Sequence, residues 1–215
     1  MRGDDEKYIR NLIAEGEHQQ QDFKFEITNS RKIAKTLVAF ANTDGGRLLI
    51  GVKDNGKISG IKTDEEYYMI EAAASLFSRP EIPFESHHRI VEGKTILEIT
   101  ILPSEKKPHY ARSEENRWLA YHRVNDKNFL ADYILLQVWK REKRTRGTFI
   151  VYSDNERKVL ETLNTGGWLD LNEIREQTRF GKKTLQQILI NLVSLQAVKM
   201  SFLEEQIRFG LEELP

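Results

Sequence analysis

The chain contains no cysteine. That absence removes disulfides, thiolate zinc ligands and thiol nucleophiles together, and leaves any chemistry to oxygen and nitrogen groups. Long apolar runs are missing as well: no stretch approaches the roughly 18–20 residues that a membrane-spanning helix needs, so no membrane partner is expected. The opening segment MRGDDEKYIR mixes charges of both signs with no apolar stretch behind them. Neither a secretory leader nor a transit peptide is expected, and the expected compartment is cytoplasmic. Net charge is absent too, 33 basic side chains being matched by 33 acidic ones, which argues against a scaffold that coats nucleic acid by charge alone. Internal repeats and low-complexity segments are likewise lacking.

What is present is unevenly placed. Residues 1–139 carry 20 basic and 22 acidic side chains and residues 150–215 carry 8 and 10, whereas the ten residues between carry 5 and 1. The 215-residue length allows two cores. The basic run therefore reads as a linker, 140–149, between a domain at 1–139 and another at 150–215.

In the first domain, Tyr8, Ile9, Leu12 and Ile13 predict an amphipathic helix that Gly16 stops. From Gln19 to Phe25 the chain alternates, placing Phe23 and Phe25 on one strand face and Asp22 and Lys24 on the other, away from the core. Ser30 can cap a helix with Ile33, Ala34, Leu37, Val38 and Ala41 as its apolar stripe, ending near Asn42. Gly45-Gly46 turns the chain into RLLIGVK, the continuous apolar run of a central strand. Asn55-Gly56 then predicts a hairpin turn into KISGI. A helix over 64–77, a hairpin of 84–91 with 95–102, a strand over 118–124 and a helix over 130–139 complete the domain.

The last third is different. A helix capped by Ser153 and ended by Gly166-Gly167, a short helix over 171–177, a turn at Arg179-Phe180-Gly181, a third helix over 182–196 and a hairpin over 198–211 follow in order. This is the layout of a winged helix-turn-helix, whose third helix can enter a major groove. The expected fold class is thus α+β, a mixed sheet with flanking helices followed by a winged helix-turn-helix domain.

Among motifs, Gly51-Val-Lys-Asp-Asn-Gly56-Lys57 satisfies part of a P-loop. Ile58 stands where the magnesium-binding hydroxyl belongs, and strand-turn-strand replaces strand-loop-helix, so the segment reads as a plain turn. Asn42 and Thr43 read as satisfying backbone groups at a helix end, with the following glycines supplying positive φ. His87 and His88 point to opposite strand faces, and no zinc site is expected.

The pattern Glu17-x4-Asp22-Phe23-Lys24, then Ile33-Ala-Lys-Thr-Leu-Val-Ala-Phe-Ala-Asn-Thr-Asp-Gly-Gly46, then Leu48-Leu-Ile-Gly-Val52-x-Asp54-x-Gly56 resembles the AlbA-type domain of Schlafen proteins and many bacterial transcriptional regulators. Lys107-Pro-His-Tyr110 and Tyr121-His-Arg-Val124 resemble its later strands, so the likeness spans about 8–135. It implies two alternatives. One is a nucleic-acid-binding protein, a DNA-binding transcriptional regulator that often carries a C-terminal winged helix. The other is a ribonuclease in which Glu17, Asp22 and Asp54 bind a divalent metal, Mg or Mn, with Lys24 steadying phosphate. Hard oxygen ligands suit such ions, but Asp22 is one methylene shorter than the glutamate usual there. Asp is also common at turns like that of Asp54 for local reasons.

For nucleic acid the expected contacts are the linker cations Lys140, Arg141, Lys143, Arg144 and Arg146, and Lys182, Lys183, Gln186 and Gln187 on the third helix. Clustered cations release counterions from phosphates, and amides suit base edges. A homodimer is expected, so that two third helices meet adjacent half-sites. DNA is favoured over RNA, no cofactor is required outside the ribonuclease reading, and a protein-only scaffold is the remaining alternative.

Overall fold

The first strand and helix set the frame of the amino-terminal half. The computed structural model describes residues 2–142, 152–203 and 206–211. Helix α1 (Arg2–Glu15) buries Ile9 and Leu12 and ends before Gly16, whose φ of +73° lets the chain turn back. Strand β1 (Gln21–Lys24) leads to α2 (Ser30–Asn42), which returns the chain to β2 (Gly46–Ile50) parallel to β1, with Asp22 beside Leu48. The cap of α2 is Asn29, one residue ahead of the expected Ser30. Its extended backbone lets the side-chain oxygen accept from the amides of Arg31 and Lys32.

After α3 (Glu65–Ser75) and β3 (Ser78–Arg79), the hairpin of β4 (Glu85–Val91) and β5 (Lys94–Ile101) completes a sheet of order β1-β2-β5-β4. In β2, Leu48, Leu49 and Ile50 are fully buried because both sheet faces are covered, as a continuous apolar run requires. On one face Leu48, Ile50, Leu97, Ile99 and Ile101 pack with Ile33, Leu37, Val38 and Ala41 of α2 and Ile70 of α3. On the other, Phe23, Leu49, Val91 and Ile96 pack with Ile9 and Leu12 of α1. Burying each such aliphatic or aromatic side chain contributes roughly 1.5–3 kcal/mol before entropy is charged against it.

The expected strand over 118–124 is broken at Ala120. Its first part, β7 (Trp118–Leu119), joins β6 (Tyr110–Arg112) and β3 in a small sheet. The second, β8 (Tyr121–Val124), pairs with β9 (Lys127–Leu130), a strand not expected from the sequence. The segment after Asn55-Gly56 forms a single antiparallel bridge, Val52 to Ile58, in place of a full returning strand. Strand, turn and bridge with no following helix leave no phosphate-binding loop there.

The second compact unit spans Asp132–Pro215 and the first Met1–Ala131, so the division falls ahead of the expected 139/140. Helix α4 (Tyr133–Glu142) carries Ile134 and Val138, one turn apart, and both belong to the second core. Helical spacing displays that stripe without saying which core will take it. Lys140 and Arg141 are consequently the last turn of a helix. Lys143, Arg144 and Arg146 lie outside the described residues. Next come α5 (Asp154–Gly166), β10 (Leu169–Asp170), α6 (Leu171–Thr178), α7 (Lys182–Ser194), β11 (Lys199–Leu203) and β12 (Gln206–Gly210), the strands forming a sheet of order β10-β12-β11. Capping boxes start α5 (Ser153 with Glu156) and α6 (Asp170 with Glu173), each satisfying two otherwise orphaned amides. Val159, Leu163, Ile174, Leu185, Ile188, Leu189 and Phe209 fill the core. Among the described residues the chain is a mixed α+β protein of seven helices and several small sheets, with no helix long and apolar enough to cross a membrane.

Candidate functional site

Strand β1 does not present its polar face to water. Asp22 is only 5% exposed, because β8 places the guanidinium of Arg123 over that face. Arg123 is fully buried and donates to the carbonyls of His18 (3.1 Å) and Gln21 (2.9 Å), to Asn128 Oδ1 (3.2 Å) and to Asp22 Oδ1 (3.3 Å). Its guanidinium carbon also lies 4.8 Å from the centre of the Phe40 ring. Lys24 reaches the other Asp22 oxygen at 2.9 Å and lies 4.0 Å from Glu17. Glu17 in turn accepts from the amide of Phe23 at 2.8 Å. Phe25, expected on the buried face with Phe23, is exposed beyond the end of the strand, with Lys53 over its ring.

Glu17, Asp22 and Lys24 are therefore brought together. Burial holds the Glu17 carboxyl above the ordinary glutamate range. Asp22 adds to that rise through a hydrogen bond and its charge, against the lowering effects of the Phe23 amide and Lys24. A cleft of about 220 Å³ opens beside Lys24, lined also by Glu26, Thr28, Asn29, Lys32 and Thr36.

Asp54 is not brought in. It is exposed at the turn after β2, and among the described residues no three His, Asp or Glu side chains converge where they could hold a metal ion. As placed, the set offers a divalent cation two carboxylates. One of these is already matched by two cations, which is a poor fit to an ion that seeks six or more oxygen ligands. Sequence reasoning did not single out Arg123, although it stands inside the Tyr121–Val124 motif. Its role depends on a contact between residues 101 positions apart. An arginine in a strand that otherwise reads as half-buried was the available signal.

The Ala-Asn-Thr-x-Gly-Gly segment has a structural role different in part from the expected one. Thr43 does close the helix end, its hydroxyl donating to the Ala39 carbonyl at 2.6 Å. Asn42 reaches much further: its amide donates to the carbonyls of His109 (3.0 Å) and Tyr121 (2.9 Å), and its oxygen accepts from the His109 amide (2.7 Å). It thereby ties α2 to β8 and to the segment before β6. Of the two glycines only Gly45 has positive φ, +71°. Gly46 is required for space, since a Cβ there would stand 2.3 Å from the Phe40 ring.

In the second unit Lys182 and Lys183 open α7 and are exposed, with Gln186 half-buried and Gln187 exposed one turn on. Among the described residues neither lysine is ion-paired. Helix α4 lies along this flank. Tyr133 at its start shares a cleft of about 400 Å³ with Lys183, Gln186 and Gln187. Near its end Arg141 donates to Asn191 Oδ1 at 2.8 Å, and that oxygen also receives Gln187 Nε2 at 3.0 Å. The expected reading face of α7 is thus open at its first two turns and covered further along.

The chain is similar to the DIP2311 protein of Corynebacterium diphtheriae, with a TM-score of 0.47 and 17% identity over 74% of this chain and 38% of that one. It therefore spans well under half the length of that protein. It is also similar to the N-terminal domain of a RecG-related protein from Nitrosomonas europaea, with a TM-score of 0.38 and 23% identity over 51% of this chain and 81% of that domain. Among curated proteins none matches. The family described as Schlafen, AlbA_2 matches residues 17–132. That match contains Glu17, Asp22, Asn42, the paired glycines and Arg123, and covers more than half of the 215-residue sequence: the chain belongs to the Schlafen AlbA_2 family.

Proposed function

We propose that this protein binds nucleic acid and serves as a DNA-binding transcriptional regulator, the second unit acting as a winged helix with α7 as its reading helix. The carrying observation is the start of α7, where Lys182 and Lys183 stand exposed and unpaired among the described residues. The amides of Gln186 and Gln187 follow one turn later. Two ammonium groups at a helix N-terminus favour phosphate, and the amides suit base edges. The order helix, short strand, helix, helix, two-stranded ribbon supports the winged-helix reading. The overall neutrality of the chain is no obstacle, because phosphate neutralisation is a local matter. Dimerisation belongs to the same proposal, as it would carry two α7 helices to successive half-sites.

The alternative, cleavage of RNA by a metal held on Glu17, Asp22 and Asp54, draws on the closeness of Glu17, Asp22 and Lys24. It has less support, since Asp22 is committed to Arg123 and Lys24 and, among the described residues, no third carboxylate joins the pair.

Binding of labelled genomic duplex fragments, followed by anisotropy against salt, tests the proposal. The expected result is affinity that falls steeply with salt, and a combined Lys182→Ala, Lys183→Ala variant whose log–log salt slope is shallower by about one to two. Absence of duplex binding at low salt would overturn it.

A further inference from the structure

Tyr133 is an aromatic side chain 53% exposed at the first position of a helix that buries Ile134, Leu135, Val138 and Trp139. Its ring does not contribute to the core that Ile134 and Val138 enter. Instead it walls a half-open cleft of about 400 Å³ with Lys183, Gln186 and Gln187, within the range of about 300–1,000 Å³ usual for small-molecule sites. The residues that α7 contributes to the cleft are chemically distinct. Gln187 gives its Nε2 to Asn191, which leaves its carbonyl oxygen to accept, while Gln186 can both donate and accept. Lys183 supplies a cation at the rim.

An aromatic face, two amide groups and an ammonium within one cleft match the three parts of a nucleotide: a flat π surface, a hydrogen-bonding edge and a phosphate. A paired base cannot use this arrangement, because in a duplex groove it shows only its edge and its faces are stacked on its neighbours. An unpaired base can. Helix α4 packs on α7 with Ile134 and Val138 in the shared core, and the Arg141 to Asn191 bond joins the two helices beside the cleft.

We infer that this cleft receives an unpaired nucleobase of a single-stranded nucleic acid, stacked on Tyr133, read by Gln186 and Gln187, with the adjoining phosphate on Lys183. The inference rests on the reading that α7 holds nucleic acid, and adds an unpaired strand to the duplex proposed above as a polymer it can hold. DNA and RNA share the base and phosphate chemistry, so the sugar is decided by experiment.

The test uses the full chain with short end-labelled single strands of DNA and of RNA, and the corresponding DNA duplex, at low salt. One internal purine is replaced by 2-aminopurine, whose fluorescence falls on stacking. The expected result is single-strand binding with quenching, weakened about tenfold or more by Tyr133→Leu and little changed by Tyr133→Phe. Because the ring is exposed, circular dichroism and melting should be unaltered in both variants. Tighter binding of either single strand identifies the polymer and supports the site. Equal single-strand affinity and equal quenching for wild type and Tyr133→Leu would overturn the inference. If duplex affinity in that case still responds to Lys182→Ala with Lys183→Ala, the regulator proposal stands without it. Single-strand binding lost in Tyr133→Leu while no duplex is bound would sustain the cleft and remove the duplex regulator.

Discussion

Replacing Arg123 with methionine keeps an unbranched apolar stem but removes the guanidinium and its charge. Buried Asp22 then loses one of its two cationic partners, and Asn128 loses a donor. The carbonyls of His18 and Gln21 suffer less, because each still accepts from the other residue's amide, at 3.2 Å and 3.0 Å. The main cost is therefore an under-compensated carboxylate, for which breaking a buried pair typically costs about 3–5 kcal/mol. Loss of the cation over Phe40 adds on the order of 1 kcal/mol. Lys24, at 2.9 Å and partly exposed, should offset some of this. A net loss of about 3 kcal/mol is expected, equivalent to a melting temperature lower by roughly 6–12 °C. Amide exchange at 21–24 and 121–124 reports it locally, and calorimetry of the full chain reports it globally. The double variant with Asp22→Asn should recover part of the loss, because the unpaired charge is gone. A change below about 1 kcal/mol in Arg123→Met, or additive effects in the double variant, would refute the view that Arg123 holds Asp22 in place.

Other outcomes follow from the same contacts. Asn42→Ala removes three hydrogen bonds, two of them buried, between α2 and the β6 and β8 segments; a destabilisation of about 3 kcal/mol is expected in urea unfolding, and a neutral variant would contradict the tying role. Burial pushes the His122 imidazole down to about 4 from an ordinary 6.5, so the fold favours the neutral ring. The stability this provides is present above pH 6.5 and lost as pH falls towards 4, by up to roughly 3 kcal/mol. His122→Leu should flatten that part of the acid limb, and parallel pH curves for the two proteins would exclude the effect. Purified wild type and Asp22→Ala, incubated with structured RNA and Mn²⁺, should leave the RNA equally intact; cleavage by wild type alone would restore the ribonuclease reading.

Much of the local architecture could be read from residue spacing, because capping, turn formation and helical periodicity are settled within a few neighbours. The β1–α2–β2 unit, the 85–101 hairpin, the Ser153 cap and the α6–α7 turn are of that kind. The family motif was visible in the same way, since Ala-Asn-Thr-x-Gly-Gly is contiguous. Burial of the polar face of β1 was not visible. Alternation alone places Asp22 opposite Phe23, and whether that second side meets water or protein depends on β8, about a hundred residues later. Likewise the stripe on α4 was evident, but its allegiance to the second core was not.

Composition and pattern by themselves determined that this chain has no thiol chemistry, an α+β character, a Schlafen-type first unit and a pair of lysines at the head of a late helix. Tertiary structure alone decided that Asp22 is neutralised by a distant arginine, that Asp54 stands apart from Glu17 and Asp22, and that Tyr133 shares a cleft with Lys183 and two glutamines. The reason is one of range. Backbone preferences act over a turn or two, whereas charge compensation and shared cavities arise only when distant segments are packed side by side.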